Sequence, residues 1–458
     1  MACDISSYPK IYYLCLSIII DFMRRGLLLT CILLLSASIV VAKRTNGILT
    51  YASPESVKMD GEYLNRTIDS VATSAIEARC FPGCQILVAR KGKIVFHKSY
   101  GYHTYECEQK VENHHLYDMA SCTKVMAATI CLMRLVEQGK LDLDKPYSHY
   151  FEELRGSNKE DVTLREFLAH QGGLVNISAA RMLYNKERQL SPQMFSREQN
   201  EEFPYTYCDS IYVCKNTHDI MFRRIAKQKN REKKFHYSCL MFHTYPTLIE
   251  RITGKRYEDY LNEEFYKPLG AKDATYNPRN KYPLSEIVPT SLNSNHRKVI
   301  HGYVHDYAAA SLGGVSGNAG LFANTASLAP ILQMLCNGGE YNGVRYFKRK
   351  TIKEWTSCQF PKNGNHRGIG FDKRRLNDNI PMEKRTTKPY YYAPSASDKS
   401  FGHSGYTGTM VWVDPKEDLV FVFLSNRVHP NTKNSYFKIN PRSKCHEAAY
   451  EAIRRYKK

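Results

Sequence analysis

The chain has 458 residues and a formal net charge of +20 at pH 7, from 65 basic and 45 acidic side chains. This excess of Lys and Arg favours anionic surroundings, such as a cell-envelope surface or an acidic substrate. Nucleic acid is not a predicted partner, because the sequence contains no zinc-finger spacing, basic helix or RNA-binding aromatic signature. Basic residues are spread from Lys43 to Lys458, which is typical of a solvated surface.

The chain begins with two apolar runs, Ile11–Ile20 and Leu27–Ala42. Neither reaches the roughly 18 uninterrupted apolar residues of a membrane-spanning helix. The basic segment Met23–Arg25, the second run and its closing small residue match a secretory signal. We therefore expect residues 1–42 to be an N-terminal extension and signal peptide, with an uncleaved membrane anchor as the alternative. Residues 43–458 are enough for one large domain or two lobes that share a site.

The sequence contains 14 cysteines, three of which precede residue 43. In an oxidising compartment Cys80 and Cys84, or Cys208 and Cys214, could form disulfides, although spacing alone does not fix the connectivity. No C-x-x-C pair is present, so the sequence predicts neither a metal site nor a redox-active dithiol. No cofactor is expected.

After the N-terminal segment, two β-strands are predicted over Gln85–Arg90 and Lys93–Tyr100, joined by a tight turn at Lys91-Gly92. A helix follows over Met119–Gln138 and is ended by Gly139. Apolar residues surround almost its whole circumference, which predicts a helix buried inside the protein.

The central part of the chain is less regular. Thr163 and Glu166 match a capping box and mark the start of a short helix. Residues 176–234 are polar, aromatic and basic without a clear period, so we expect a lid or a helical excursion over the site. The later predicted elements are helices over Leu240–Leu261, Ser327–Asn337 and His446–Tyr456 and strands over Thr409–Asp414 and Leu419–Asn426. Strands near both ends with helices between them predict an α+β fold, in which terminal strands close an antiparallel sheet.

Ser121 and Lys124 lie at the start of the predicted buried helix and face the same side. A serine becomes a good nucleophile only when a neighbouring group takes its proton, and a lysine can do this where its surroundings neutralise it. The helix N-terminus adds partial positive charge where an oxyanion would form. An isolated S-x-x-K more often marks a capping serine and a surface lysine, so further motifs are needed to assign a function.

Two later stretches supply them: Phe235–Cys239 at the start of a predicted helix, and Phe401–Thr409 before a predicted strand. Together with Ser121 and Lys124, and in this order, they resemble the three motifs of the serine β-lactamase and penicillin-binding superfamily. The resemblance is greatest to its class C-like branch, which includes esterases and D-amino-acid peptidases, and it spans roughly residues 60–455. It implies a β-lactamase/transpeptidase-like fold, with an antiparallel sheet flanked by helices and an all-helical lobe.

The resemblance also implies roles for the motif residues. Ser121 would attack an acyl carbon, and Lys124 and Tyr237 would share its proton. A tyrosine ordinarily titrates near 10, so Tyr237 can serve only where adjacent cations favour its charged form. The backbone N–H groups of Ser121 and Tyr406 would form the oxyanion hole.

Two motif residues depart from the superfamily pattern. Cys239 stands where the second motif usually ends in Asn or Asp, and a thiol is a weak hydrogen-bonding group. His403 stands where the third motif usually has a lysine, and an imidazole holds a substrate carboxylate less firmly than a permanent ammonium. Both departures favour an esterase or D-amino-acid peptidase over a true β-lactamase. Gly405 in the third motif is expected to let substrate lie against the strand edge.

The predicted function is that of an exported serine hydrolase that forms an acyl-enzyme on ester, D-amino-acid peptide or β-lactam bonds in the cell envelope. Its substrate would be a small molecule or a peptidoglycan fragment. The alternative is a penicillin-binding or envelope-binding protein that does not turn over a substrate, and the weak hydrogen-bonding group of Cys239 is the reason to consider it. A basic adhesion or scaffold protein is a third hypothesis. An α/β-hydrolase is excluded because G-x-S-x-G is absent, and the absence of S-D-N argues against a class A β-lactamase.

Overall fold

The computed structural model describes residues 47–294, 297–375 and 391–456. The predicted signal peptide, residues 1–42, lies outside these ranges and stays a prediction. Over the described ranges, no helix is both long and apolar enough to cross a membrane.

A seven-stranded sheet lies at the centre of the fold. The described strands are β1 (Thr50–Tyr51), β2 (Gly83–Arg90), β3 (Lys93–Gly101), β4 (Tyr117–Asp118), β5 (Phe195–Ser196), β6 (Tyr205–Cys208), β7 (Ile211–Val213), β8 (Thr275–Tyr276), β9 (Ser291–Ser294), β10 (Arg297–Ile300), β11 (Leu321–Ala323), β12 (Glu340–Tyr341), β13 (Val344–Arg345), β14 (Asp372–Lys373), β15 (Phe401–Ser404), β16 (Met410–Asp414) and β17 (Leu419–Ser425). The central sheet has the order β1-β3-β2-β17-β16-β15-β14. Its neighbours pair antiparallel except for β1 with β3. The predicted pairing of strands from the two ends of the chain is therefore confirmed.

Both faces of the central sheet are buried, because alternate side chains of each strand enter different cores. On β2, Ile86 and Val88 belong to one apolar core, whereas Leu87 and Ala89 belong to the other. Helices cover both faces, as the apolar pattern of the strands requires. The α+β class predicted from the sequence is confirmed.

The helices form the two covering layers. In chain order the described α-helices are α1 (Gly61–Glu77), α2 (Thr129–Glu137), α3 (Leu164–Leu168), α4 (Ala179–Leu183), α5 (Thr217–Lys227), α6 (Tyr245–Thr253), α7 (Tyr257–Leu261), α8 (Lys267–Leu269), α9 (Tyr307–Ala310), α10 (Thr325–Cys336), α11 (Arg349–Trp355), α12 (Tyr436–Ile439) and α13 (Pro441–Tyr456). Helices α1 and α13 pack together in the core on one face. The buried helix α2 and helix α10 belong to the core on the other face. Val125 and Leu240, which follow the first and second sequence motifs, belong to this second core, and the third motif begins on β15.

Residues 176–234 form the helices α4 and α5 and a three-stranded sheet of order β5-β7-β6. Tyr207 and Met221 of this segment are fully buried in the main core. The helical side of the molecule therefore also contains short strands. The absence of a long sequence period reflects these short elements: α4 and the three strands bury one or two side chains each, and α5 buries four.

The cysteines of the described residues are free thiols. Cys80 and Cys84 are buried in the core around α1, and Cys208 and Cys214 are buried in the segment 176–234. Burial raises the pKa of Cys84 well above its ordinary value and raises the pKa of Cys208 to about 11. These residues pack as small apolar side chains, so the two disulfides considered from the sequence are not formed. In the same described ranges, no three His, Cys, Asp or Glu side chains are grouped as metal ligands would be.

Candidate active site

Ser121 lies in a turn that leads from β4 into the buried helix. The predicted helix Met119–Gln138 is built from a 3-10 turn at Ala120–Cys122, a π-helical turn at Lys124–Ala128 and then α2. Ala120 has a φ of +44°, a left-handed conformation that residues with a side chain seldom adopt. Strain of this kind costs about 1–3 kcal/mol and is concentrated at functional sites. The surrounding structure therefore fixes the residue that precedes the predicted nucleophile.

The structure brings four of the predicted site residues into direct contact. Lys124 Nζ donates a hydrogen bond to Ser121 Oγ at 3.0 Å, and the Tyr237 hydroxyl donates to the same atom at 2.9 Å. Lys124 Nζ also contacts Cys239 Sγ at 3.3 Å and donates to the carbonyl of Asn318 at 3.2 Å. The Ser121 hydroxyl thus lies between two groups that can exchange protons with it.

Lys124 is completely buried, but its surroundings favour the ammonium form. Burial lowers the pKa of Lys124, yet the adjacent Cys239 and Tyr237 outweigh this effect and leave the pKa above its ordinary value. Desolvation raises the pKa of the Tyr237 hydroxyl, and the Lys124 ammonium opposes that rise. From the sequence, Lys124 could act as a base only if its surroundings neutralised its ammonium group. In the structure Lys124 is charged, and its charge lies beside the tyrosine oxygen.

The third motif packs directly against the nucleophile turn. Thr409 Oγ1 donates to the carbonyl of Met119 at 3.0 Å, and Thr407 Oγ1 donates to the carbonyl of Asp118 at 2.7 Å. A Cβ atom on Gly405 would lie 2.6 Å from the Met119 carbonyl oxygen. The glycine is therefore needed where two protein segments touch, and the expectation that it lets substrate lie against the strand edge stays a prediction.

Tyr406 and Ser121 line the same cleft, which has a volume of about 430 Å³. Tyr406 is exposed over 55% of its surface, and its ring stacks on His305 with centroids 5.7 Å apart. Because Gly405 packs against the nucleophile turn, the next residue, Tyr406, lies in the same wall of the cleft as Ser121. Both residues therefore face one cleft, and an oxyanion hole made from their N–H groups stays a prediction.

His403 is buried and does not line this cleft. Its Nδ1 donates to the carbonyl of Ser404 at 2.8 Å, and its Nε2 has no hydrogen-bond partner among the described residues. Burial, with Arg367 nearby, lowers the pKa of His403 well below its ordinary value. The imidazole is therefore neutral and lies 5.9 Å from the ring of Tyr237. It packs behind the tyrosine ring, and a contact between His403 and a substrate carboxylate stays a prediction.

Three residues beside the site were not predicted to have a role. His170 packs on the Tyr237 ring with centroids 4.6 Å apart, and the Arg367 guanidinium lies 5.6 Å from the centre of that ring. The side-chain oxygen of Asn176 accepts a hydrogen bond from the backbone N–H of Cys239 at 2.8 Å. These contacts join distant parts of the chain, so no short sequence pattern identifies them.

Comparison with known proteins is consistent with this geometry. The family model described as Beta-lactamase matches residues 68–438. The "Putative D-alanyl-D-alanine carboxypeptidase" of Escherichia coli O157:H7 is 30% identical over 439 residues, which cover 89% of this chain and 92% of that protein.

Solved structures share the fold at lower sequence identity. The D-amino acid amidase from Ochrobactrum anthropi SV3, complexed with L-phenylalanine amide, has a TM-score of 0.60 and 18% identity, and the match covers 86% of this chain and 99% of that one. EstCE1, a hydrolase with promiscuous acyltransferase activity, has a TM-score of 0.59 and 16% identity, with coverage of 84% and 99%. These two structures support the fold, and the family model and the Escherichia coli relative support the family. The chain belongs to the β-lactamase family of serine hydrolases.

Proposed function

We propose that this protein hydrolyses ester or D-amino-acid amide bonds through an acyl-enzyme formed on Ser121. The observation that carries the proposal is the pair of hydrogen bonds on Ser121 Oγ, from Lys124 Nζ at 3.0 Å and from the Tyr237 hydroxyl at 2.9 Å. A serine held between an ammonium and a phenol has both a proton acceptor and a charge that stabilises the acceptor once it is ionised.

Lys124 and Tyr237 act as one titrating pair. In the reactive state the pair has lost one proton, and the Lys124 ammonium stabilises the phenolate of Tyr237. The phenolate takes the Ser121 proton while Oγ bonds to the acyl carbon, and the carbonyl oxygen becomes an oxyanion between the N–H groups of Ser121 and Tyr406. Tyr237 then gives the proton to the leaving group as its bond to the acyl carbon breaks. Water repeats the sequence in reverse and releases the acid.

The site favours esters and amides over β-lactams as substrates. A neutral His403 supplies no permanent positive charge for a penicillin carboxylate. The name of the Escherichia coli relative refers to a D-alanyl-D-alanine substrate, and the Ochrobactrum enzyme is a D-amino acid amidase. Both names support acyl groups derived from D-amino acids, such as those of peptidoglycan fragments.

Covalent labelling tests the proposal. The protein is incubated with a fluorescent fluorophosphonate, and the labelled peptide is identified by mass spectrometry. We expect the label on Ser121 and its loss in Ser121→Ala. Ser291→Ala is the matched control, because Ser291 lines the same cleft. Full esterase activity in Ser121→Ala would overturn the assignment. A labelled Ser121 without turnover of any ester, amide or lactam would favour the binding-protein alternative.

We propose that the protein acts outside the cytoplasm, on the basis of the basic and apolar segment within residues 1–42. Its net charge of +20 is suited to contact with an anionic envelope surface. N-terminal sequencing of the protein recovered from outside the cytoplasm should give a chain that begins near Lys43. An exported chain with residues 1–42 intact would instead favour the uncleaved anchor.

A further inference from the structure

The cleft that contains Ser121 has an acidic side chain but no basic one. Asp306 lines it, and none of the described residues that line it is Lys or Arg. Burial lowers the pKa of His305, another lining residue, to about 4, so this imidazole adds no positive charge at neutral pH. The buried Lys124 ammonium does not line the cleft and donates hydrogen bonds to Ser121 Oγ and to the Asn318 carbonyl. Asp306 is therefore the charged side chain among the described residues that line the cleft.

Asp306 is held close to the nucleophile turn by a second carboxylate. One oxygen of Asp118 accepts from the N–H of Ala120 at 2.8 Å, and the other accepts from the N–H of His305 at 2.7 Å. Ala120 precedes Ser121, and His305 precedes Asp306. A single buried side chain thus links the backbone just before the serine to the backbone just before Asp306.

Asp306 itself has a fixed orientation and forms no ion pair within the described residues. Its Oδ1 caps α9 by accepting from the N–H of Ala309 at 2.8 Å. The nearby guanidinium of Arg297 donates instead to the carbonyls of Val304 and His305. A carboxylate that forms no ion pair and lines the same cleft as Ser121 is an arrangement that a positively charged ligand would complete.

A smaller chamber adjoins the cleft at this carboxylate. It has a volume of about 170 Å³ and shares Asp306 and Tyr307 with the cleft. Its apolar walls are formed by Ile177, Met182, Met221 and Leu240. Cys239, which contacts Lys124, also lines the chamber, so the chamber lies beside the reacting atoms. A short apolar group attached near the scissile carbonyl would fit into this space.

We propose that Asp306 binds the protonated amine of the substrate's acyl part, so that the enzyme prefers acyl donors with a free α-amino group. The substrate class is that of D-amino-acid esters, D-amino-acid amides and peptides with a free D-residue at the N-terminus, with the side chain of that residue in the small chamber. This inference rests on the proposed acyl-enzyme function and adds the chemical group that the cleft selects. Because Asp306 is negatively charged, we expect a substrate with a free carboxylate near Ser121 to bind less well.

Unmodified protein provides the first test. kcat/KM is measured for D-alanine p-nitroanilide, for its N-acetyl derivative and for propionyl p-nitroanilide, each divided by its rate of alkaline hydrolysis. A charge-assisted hydrogen bond corresponds to roughly 10- to 100-fold in binding, so we expect the free amine to be preferred by that factor over both neutral analogues. Equal values for the three substrates would overturn the inference.

The second test uses Asp306→Asn, because Asn also caps helices and should preserve the turn. We expect this variant to lose most of the preference for the free amine, measured as the ratio of kcat/KM for D-alanine p-nitroanilide to kcat/KM for its N-acetyl derivative. Glu62→Gln is the matched control: it removes a negative charge from a side chain that is 87% exposed on α1, and it should keep the preference. A full preference in Asp306→Asn would contradict the role of this carboxylate.

The two proposals fail in different ways. If the acyl-enzyme mechanism is wrong, the unmodified protein hydrolyses neither p-nitrophenyl acetate nor the anilides, and fluorophosphonate does not label Ser121. If only the amine preference is wrong, Ser121 is labelled and the acetate ester is hydrolysed, but N-acetylation of the D-alanine substrate does not lower kcat/KM.

Discussion

Lys124 Nζ lies 3.3 Å from Cys239 Sγ, at the position where the superfamily pattern has an amide or carboxylate oxygen. A thiol accepts a weaker hydrogen bond than an amide oxygen. The ammonium of Lys124 is therefore oriented mainly by Ser121 and by the Asn318 carbonyl. This relationship makes residue 239 a sensitive position for changing activity.

Cys239→Asn should raise kcat on a p-nitrophenyl ester by up to about tenfold, because the amide oxygen orients the Lys124 ammonium more firmly and the amide N–H₂ can donate to substrate. Steady-state hydrolysis measures the effect. Cys239→Ala is the control, since it removes the thiol without adding an amide, and it should not raise kcat. Identical rates in the two variants would show that the side chain at this position does not orient the site.

Lys124→Ala and Tyr237→Phe should each lower the acylation rate on the order of 10²–10⁴-fold, as expected for a lost general base. The double variant should be no slower than the slower single variant, because both residues serve one proton transfer. Rapid-mixing measurement of the p-nitrophenol burst gives the acylation rate directly. Effects that multiply in the double variant would instead indicate two independent roles.

His403→Lys should lower the free energy of unfolding on the order of 3 kcal/mol, because it places an ammonium in a buried position close to the Arg367 guanidinium. We expect no gain in penicillin labelling, since residue 403 does not line the cleft. Urea unfolding and labelling by a fluorescent penicillin measure the two effects. His149→Lys, at an exposed histidine, is the control for adding a charge. A stable His403→Lys protein that is labelled faster would place residue 403 in contact with substrate.

Stability should fall as the pH falls below about 6.5. Burial lowers the pKa of His170 and His403 well below that value, and it lowers the pKa of His446 to about 3. Between these values and the unfolded pKa near 6.5 the unfolded chain binds more protons, so each such histidine removes about 1.4 kcal/mol of stability per pH unit. Asp118 acts in the opposite direction, because burial raises its pKa to about 6, but it is a single group.

Urea unfolding at pH 7.5, 6.0 and 5.0 measures this dependence. His446→Gln should make the decrease shallower, whereas replacement of the exposed His149 by Gln should leave it unchanged. Equal stability at pH 7.5 and 5.0 would contradict the neutral state assigned to the buried imidazoles.

The features predicted correctly from the sequence are those set by local pattern. The hairpin at Lys91-Gly92 and the buried helix after Ser121 follow from periodicity and turn residues within short windows. Asp118 and Arg367 could not be found in this way. The contact from Asp118 to the N–H of His305 joins residues 187 positions apart, and the position of Arg367 over Tyr237 depends on the whole sheet. The burial of His403 was also not predictable, because its motif is the same whether the side chain faces solvent or core.

Formation of the site also depends on when the C-terminal strands pair with the rest of the sheet during folding. Arg90 at the end of β2 donates to the carbonyl of Glu417, 327 residues later, just before β17 begins. The chain must close this long loop before β2 and β17 can pair, so we expect these strands to pair late in folding. Thr407 and Thr409, which hold the nucleophile turn, belong to the same late region. We therefore expect a chain that stops before β17 to contain every predicted catalytic motif and still to lack enzyme activity, because β16 and β2 both lose the strand between them.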